Sequence, residues 1–193
     1  MFDLVQTFRP EIRFELLQMM NDLRPVAEIF MVSRKAPPVC AAIEELQKRG
    51  YFVACRDIGR DTVTYFVSKE QGLAEEAAHM RDPRRFGELM GFPDSAIEAF
   101  VAHKPLMTHA DLEELIGLPL GELFMYVKFS GANTEDAKEY VRRSLRILLD
   151  QAPELLREML ARGVDFEEYK KKASRFAEDT SKKYGCAGNS QIC

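Results

Sequence analysis

The sequence predicts a mainly helical α+β protein, with a small β-α-β-β sheet of about three strands covered by a helical C-terminal two-thirds. Three observations predict it. Strand-like segments are confined to about residues 24–68, where they are interrupted by one helical stripe. From about residue 69 onward, apolar residues recur at helical spacing between Gly and Pro stops. With 46% hydrophobic and 30% charged residues in 193, the chain has globular composition, and it is long enough to bury a core without disulfide or metal staples.

The first helix runs from about Pro10 to Leu23, and Pro10 suits a first turn, where no backbone donor is needed. Ile12, Leu16, Met19, Met20 and Leu23 form one face. Val26–Val32 is short, apolar and rich in strand formers. Pro37 and Pro38 open a helix with the stripe Val39, Ala42, Ile43 and Leu46, and Gly50 ends it. Tyr51–Cys55 is a second strand, Asp57–Asp61 a turn, and Val63–Ser68 a third strand. A right-handed crossover makes the first two strands parallel, and a hairpin adds the third. One crossover helix cannot cover both faces of such a sheet, so other helices must pack on it.

The remaining helices are expected over Glu70–Met80, Pro83–Met90, Pro93–His103 and from the Thr108 cap to Gly117. Leu118–Phe129 fits a helix opened by Pro119 or a strand over Leu123–Phe129, and helix is the favoured reading. Asn133 and Thr134 precede a helix to Leu149, with Glu135 and Asp136 in its favourable first turn. Ala152, Leu155, Leu156, Met159 and Leu160 mark the next, closed by Gly163. Asp165 and Glu168 resemble a capping pair for the last helix. The stripe of that helix (Phe166, Tyr169, Ala173, Phe176, Ala177) is thinned by two alanines, which suggests a helix on the surface or against a partner subunit. Residues 1–184 are read as one globular domain and 185–193 as a flexible tail.

Several function classes are disfavoured. A net charge of -4 lacks the basic surplus of a general nucleic-acid binder, so nucleic acid is an unlikely partner. No apolar run reaches the roughly 18 residues of a membrane span, and Met1–Pro10 lacks the sections of a signal peptide. A cytoplasmic location is expected. Cys40 and Cys55 sit in apolar segments as small hydrophobes. Cys186 and Cys193 lie in the tail, where reducing conditions disfavour a disulfide.

Residues 84–100 read Arg-Arg-Phe-Gly-Glu-Leu-Met-Gly-Phe-Pro-Asp-Ser-Ala-Ile-Glu-Ala-Phe. The segment resembles the signature of a prokaryotic family catalogued as domain of unknown function 483, Gly-x-Leu-Leu-Gly-Tyr-Pro-x-Cys-Cys-Ile-x-x-Phe. That resemblance implies no activity. Where the family pattern has a cysteine pair this chain has Ser95 and Ala96, so thiol or metal chemistry of that pair does not carry over to them. Physically the segment is a tight helix corner: Gly91 ends one helix, Phe92 anchors the corner, and Pro93 starts the next.

The helix opening at Pro93 presents free N–H groups and a positive dipole end. Ser95 lies in its first turn, and Arg81, Arg84 and Arg85 lie just before it. Together they make a candidate site for a phosphate or carboxylate; on the competing account Asp94 occupies the cap and the arginines are a solvated face. Ser33, Arg34 and Lys35 follow the first strand, a place where ligands bind in open α/β sheets, although there is no Gly-rich phosphate loop. His79, His103 and His109 show no zinc spacing, and a Ser95–His103 pair lacks a nucleophile elbow and an orienting third residue. Lys170, Lys171, Lys172, Arg175, Lys182 and Lys183 are offset by acidic neighbours and read as a solvated helix face.

The leading expectation is therefore binding of a small anionic ligand near Gly91–Pro93 by Arg84, Arg85 and Ser95, with Arg34 as a further candidate. No metal site is expected, the cofactor is unknown, and no reaction is assigned. The alternative is a non-enzymatic interaction or oligomerisation module, such as a homodimer built on the last helix.

Overall fold

The computed structural model describes residues 6–124, 127–160 and 162–178. The sheet-forming part comprises α1 (Pro10–Met20), β1 (Val26–Ser33), α2 (Pro37–Lys48), β2 (Phe52–Gly59) and β3 (Thr62–Ser68). The helices α3 (Gln71–His79), α4 (Pro83–Leu89) and α5 (Asp94–Val101) follow. Next come β4 (Leu106–Met107), α6 (His109–Ile116), β5 (Phe129–Ser130), α7 (Thr134–Gln151), α8 (Pro153–Met159) and α9 (Phe166–Glu178). The protein is a mainly helical α+β fold.

The strand order is β1-β3-β2, and both pairings are antiparallel. β1 and β2 thus run in the same direction, as the crossover through α2 requires, but β3 lies between them. The β2–β3 loop is only Arg60 and Asp61, both at positive φ (51° and 65°). Such backbone matches the twist of a two-residue hairpin.

Strand alternation sorts the sheet into two faces. Ala27, Ile29 and Val67 pack with Ile12, Leu16 and Met19 of α1 and with Val39, Ile43 and Leu46 of α2. Val26 and Phe66 pack on the other face with Ala77 and Ala78 of α3 and with Leu89 and Met90. α1 is buried on a second side as well: Phe14 and Leu17 join the core made by α6–α9. Its Gln18, also buried, donates to Ser144 Oγ on α7 at 2.9 Å. One helix therefore ties the sheet to the helical half.

Some expectations change: the turn expected over Asp57–Asp61 is confined to Arg60 and Asp61, because β2 runs on to Gly59. Residues 118–124 form neither helix nor strand, and strand within 127–130 is limited to Phe129–Ser130. The backbone donors there are spent on other elements: Leu120 N donates to Glu113 Oε1 (2.6 Å) and Glu122 N to the Met159 carbonyl (2.9 Å). Gly121 and Phe124 both have positive φ, which no helix accommodates. The thin stripe of α9 is not left for a partner subunit. Tyr169 and Ala173 join the helical core, Ala177 is buried too, and Arg142 of α7 stacks over Phe176 at 5.0 Å. Small alanines let α9 approach α7 closely, so a thin stripe here marks tight packing rather than exposure. Cys186, Cys193, Lys182 and Lys183 lie outside the described residues. No helix among the described residues is long and apolar enough to cross a membrane.

Candidate functional site

The Gly91–Pro93 corner is built by local chemistry. Asp82 Oδ1 accepts from Arg84 N at 2.9 Å and caps α4, and Pro83 occupies its first turn. At the other end Phe92 N donates to the Gly87 carbonyl and Gly91 N to the Glu88 carbonyl, each at 3.0 Å. This pair of bonds closes the helix with Gly91 left-handed at φ 69°. Gly91 also rests on Arg24: an added Cβ would lie 2.5 Å from Arg24 Cβ and 2.7 Å from its Cα. Arg24 is buried and cannot yield. Nε donates to the Val26 carbonyl (2.7 Å), Nη2 to Met90 Sδ (3.2 Å), and Nη1 pairs with Glu15 Oε2 (3.0 Å). Gly87 plays a second steric role, because a Cβ there would meet Ile97 Cγ1 at 2.8 Å. Its absence lets α4 and α5 close on each other.

In front of the corner lies a cleft of about 440 Å³. Phe86, Phe92, Ile97, Phe100, Met80 and Pro83 supply most of its walls. Among the described residues its charged lining is Arg56, Arg81 and Lys128, with no carboxylate. Arg56 is held in place: its guanidinium donates to the carbonyls of Ala77 (2.7 Å), Ala78 (2.8 Å) and Met80 (3.2 Å), closing the C-terminal end of α3. It also stacks over Phe66 at 5.0 Å and Phe86 at 6.0 Å. Arg81 and Lys128 are exposed and make no ion pair among the described residues.

The four residues singled out from the sequence stand around this cleft or far from it, but none lines it. Arg84 pairs with Glu98, with Nη2 3.0 Å from Oε2. Arg85 forks onto Glu76 at 2.6 and 2.9 Å and also reaches Glu88 at 2.9 Å. Hydrogen bonds from these arginines hold the Glu76 and Glu98 carboxyls below the usual range and raise the arginines further. Ser95 sits in the first turn of α5, where its buried Oγ has no hydrogen-bond partner among the described residues, so it forms no pair with His103. Arg34 lies beyond β1, where it binds Asp57 at 3.1 Å while Lys35 binds Asp61 at 2.8 Å. That loop fastens itself to the hairpin carboxylates.

The start of α5 opens on the other side of the corner. A groove there is lined by Asp94, Asp136 and Glu139 against one cation, Arg143. Its charge opposes an anion even where helix N–H groups favour one. The two sides of the corner thus differ in sign, and the cationic side is the front cleft. His79, His103 and His109 sit at the ends of three different helices, α3, α5 and α6. Among the described residues no three His, Cys, Asp or Glu side chains are grouped to hold a metal ion.

Sequence reasoning missed Arg56 and Lys128. Arg56 had one readable signal, since strand alternation places it on the same face as Ala54, which packs with Phe66. Lys128 had none, because only the tertiary fold brings it to the corner. Compared with protein-family models, with curated proteins and with solved structures, the chain matches none.

Proposed function

We propose that the chain binds a small anionic ligand in the cleft in front of the Gly91–Pro93 corner. The observation that carries the reading is the sign of the lining: among the described residues, three cations and no carboxylate around a concave surface of aromatic and aliphatic side chains. Arg84 and Arg85 support the site indirectly. Their ion pairs with Glu98 and Glu76 tie α4 to α5 and α3, and they take those carboxylates out of the charge balance at the cleft. The side chains facing the cleft offer charge pairing, stacking and apolar contact, so binding is the chemistry proposed. A cytoplasmic location goes with this reading, and the free thiols of Cys40 and Cys55 fit a reducing compartment.

Thermal unfolding in the presence of phosphate, nucleotides and small carboxylates tests it. A ligand at a hundred times its Kd stabilises by about 2.7 kcal/mol, which for a chain of this size raises Tm by roughly 5–11 °C. The combined variant Arg81→Ala/Lys128→Ala is expected to lose most of that shift, while Arg34→Ala keeps it. A shift unchanged in the double variant, or no shift with any anion, would refute the reading.

A further inference from the structure

We infer that the anion taken by this cleft is amphiphilic: a single carboxylate carried on a hydrophobic body of about ten carbons. The body lies among Phe86, Phe92 and Phe100, and the head meets Arg81 and Lys128. The inference rests on the anion site proposed above and adds the class of ligand that enters it.

Volume comes first. A cleft of about 440 Å³ holds roughly fifteen waters at about 30 Å³ each, whereas a phosphate ion displaces only a few of them. A compact ion would leave most of the cleft wet. It would also bring its own hydration shell against aromatic carbon, which carries a desolvation cost with no hydrogen bonds in return. A body of about ten carbons fills most of the space.

Exposure points the same way. Phe100 is 55% exposed although it lies on the cleft wall, and Phe86 and Phe92 are only half-buried. An apolar body would cover all three rings at once, and this is where the binding energy is available.

Charge then sets the head. The Arg56 guanidinium already serves three carbonyls of α3. The charges left without a partner among the described residues are Arg81 and Lys128, both in water. Two exposed cations can each meet one oxygen of a carboxylate, and they fall short of the charge of a di- or triphosphate.

Calorimetric titration of the full chain with hexanoate, decanoate, 2-naphthoate, methyl decanoate and inorganic phosphate tests the inference. Each buried methylene is worth about fourfold in affinity, so decanoate is expected to bind at least tenfold more tightly than hexanoate. Naphthoate shows whether the body is a flat ring system or a chain, and tight binding of either supports the inference. Phe100→Ser removes an exposed ring without opening the core. It is expected to weaken decanoate at least threefold, with far-UV dichroism unchanged.

Four outcomes overturn the inference. Phosphate binding more tightly than both decanoate and naphthoate would refute the amphiphile and leave the anion site standing, as would hexanoate binding as tightly as both. Decanoate binding equally to the parent and to Phe100→Ser would place the body elsewhere and refute it. Methyl decanoate binding as tightly as decanoate, with Arg81→Ala/Lys128→Ala unaffected, would refute the inference together with the anion reading.

Discussion

Gly91→Ala adds one methyl group at the point where the corner rests on α1's C-terminal loop. Two costs separate cleanly. The backbone at φ 69° is left-handed, which costs a non-glycine residue about 1–2 kcal/mol. The new Cβ would also stand 2.5 Å from Arg24 Cβ, 2.7 Å from Arg24 Cα and 3.0 Å from the Leu23 carbonyl. Two of those atoms are backbone, and Arg24 is pinned by Glu15 and by the Val26 carbonyl. Overpacking of this kind adds about 1–3 kcal/mol. Gly117 supplies the control: it has nearly the same φ, 72°, but nothing lies within 4 Å of its Cβ position. Gly117→Ala is expected to cost the backbone term alone, and the loss of unfolded-state freedom cancels between the two variants. Urea unfolding with an unchanged m-value should therefore place Gly91→Ala about 1–3 kcal/mol below Gly117→Ala. Equal destabilisation, within about 0.5 kcal/mol, would show that the close approach to Arg24 carries no weight and would refute the account of the corner.

Two further predictions concern the helical frame and the sheet. Burial first, and Glu15 second, push the Glu28 carboxyl above its ordinary value, against Arg24 and Arg56. A raised folded-state pKa means that the native state holds the proton more tightly than the unfolded chain does, so stability from this group is present below the unfolded value and is lost as pH rises through the folded one. Glu28→Gln should therefore unfold at higher urea than the parent at pH 7 and show no advantage below about pH 4; a gain that persists in acid would contradict this. Ala173, 0% exposed between α9 and α7, leaves no room for a larger side chain. Ala173→Leu should cost about 1–3 kcal/mol in thermal unfolding, and a neutral result would mean that α9 does not pack tightly.

Local signals were the readable part of this chain. Pro10, Pro37 and Pro83 open helices as N-terminal prolines do, and Gly91 and Gly117 both close helices at positive φ. Thr108 caps α6 with Asp111 returning the bond, as its place before the stripe implied. What could not be read was set by distance along the chain. β3 pairs with both other strands, a choice that hydrophobic pattern alone leaves open. Leu118–Phe124 has helical spacing, but its donors go to Glu113 and Met159, which no local propensity anticipates. The same holds at the site. Arg84 and Arg85 stand near the expected corner, yet Glu98 and Glu76 reach them first, and the cleft cations without an ion pair among the described residues are Arg81 and a lysine brought in from residue 128.

The central place of β3 fixes an order of assembly during synthesis. β1 and β2 share no hydrogen bond, so every rung of the three-stranded sheet involves residues 62–68, the last of its strands to be made. At translation rates of about 5–20 residues per second, β1 waits roughly 2–7 s between the synthesis of Ser33 and that of Ser68. During that interval Ala27 and Ile29, destined for the interior, have α1 and α2 as cover, whereas Val26 on the other face awaits α3, which is made later still. A nascent chain stalled before Thr62 carries two unpaired strands, and one extended to Ser68 can close both edges onto a single partner in one step.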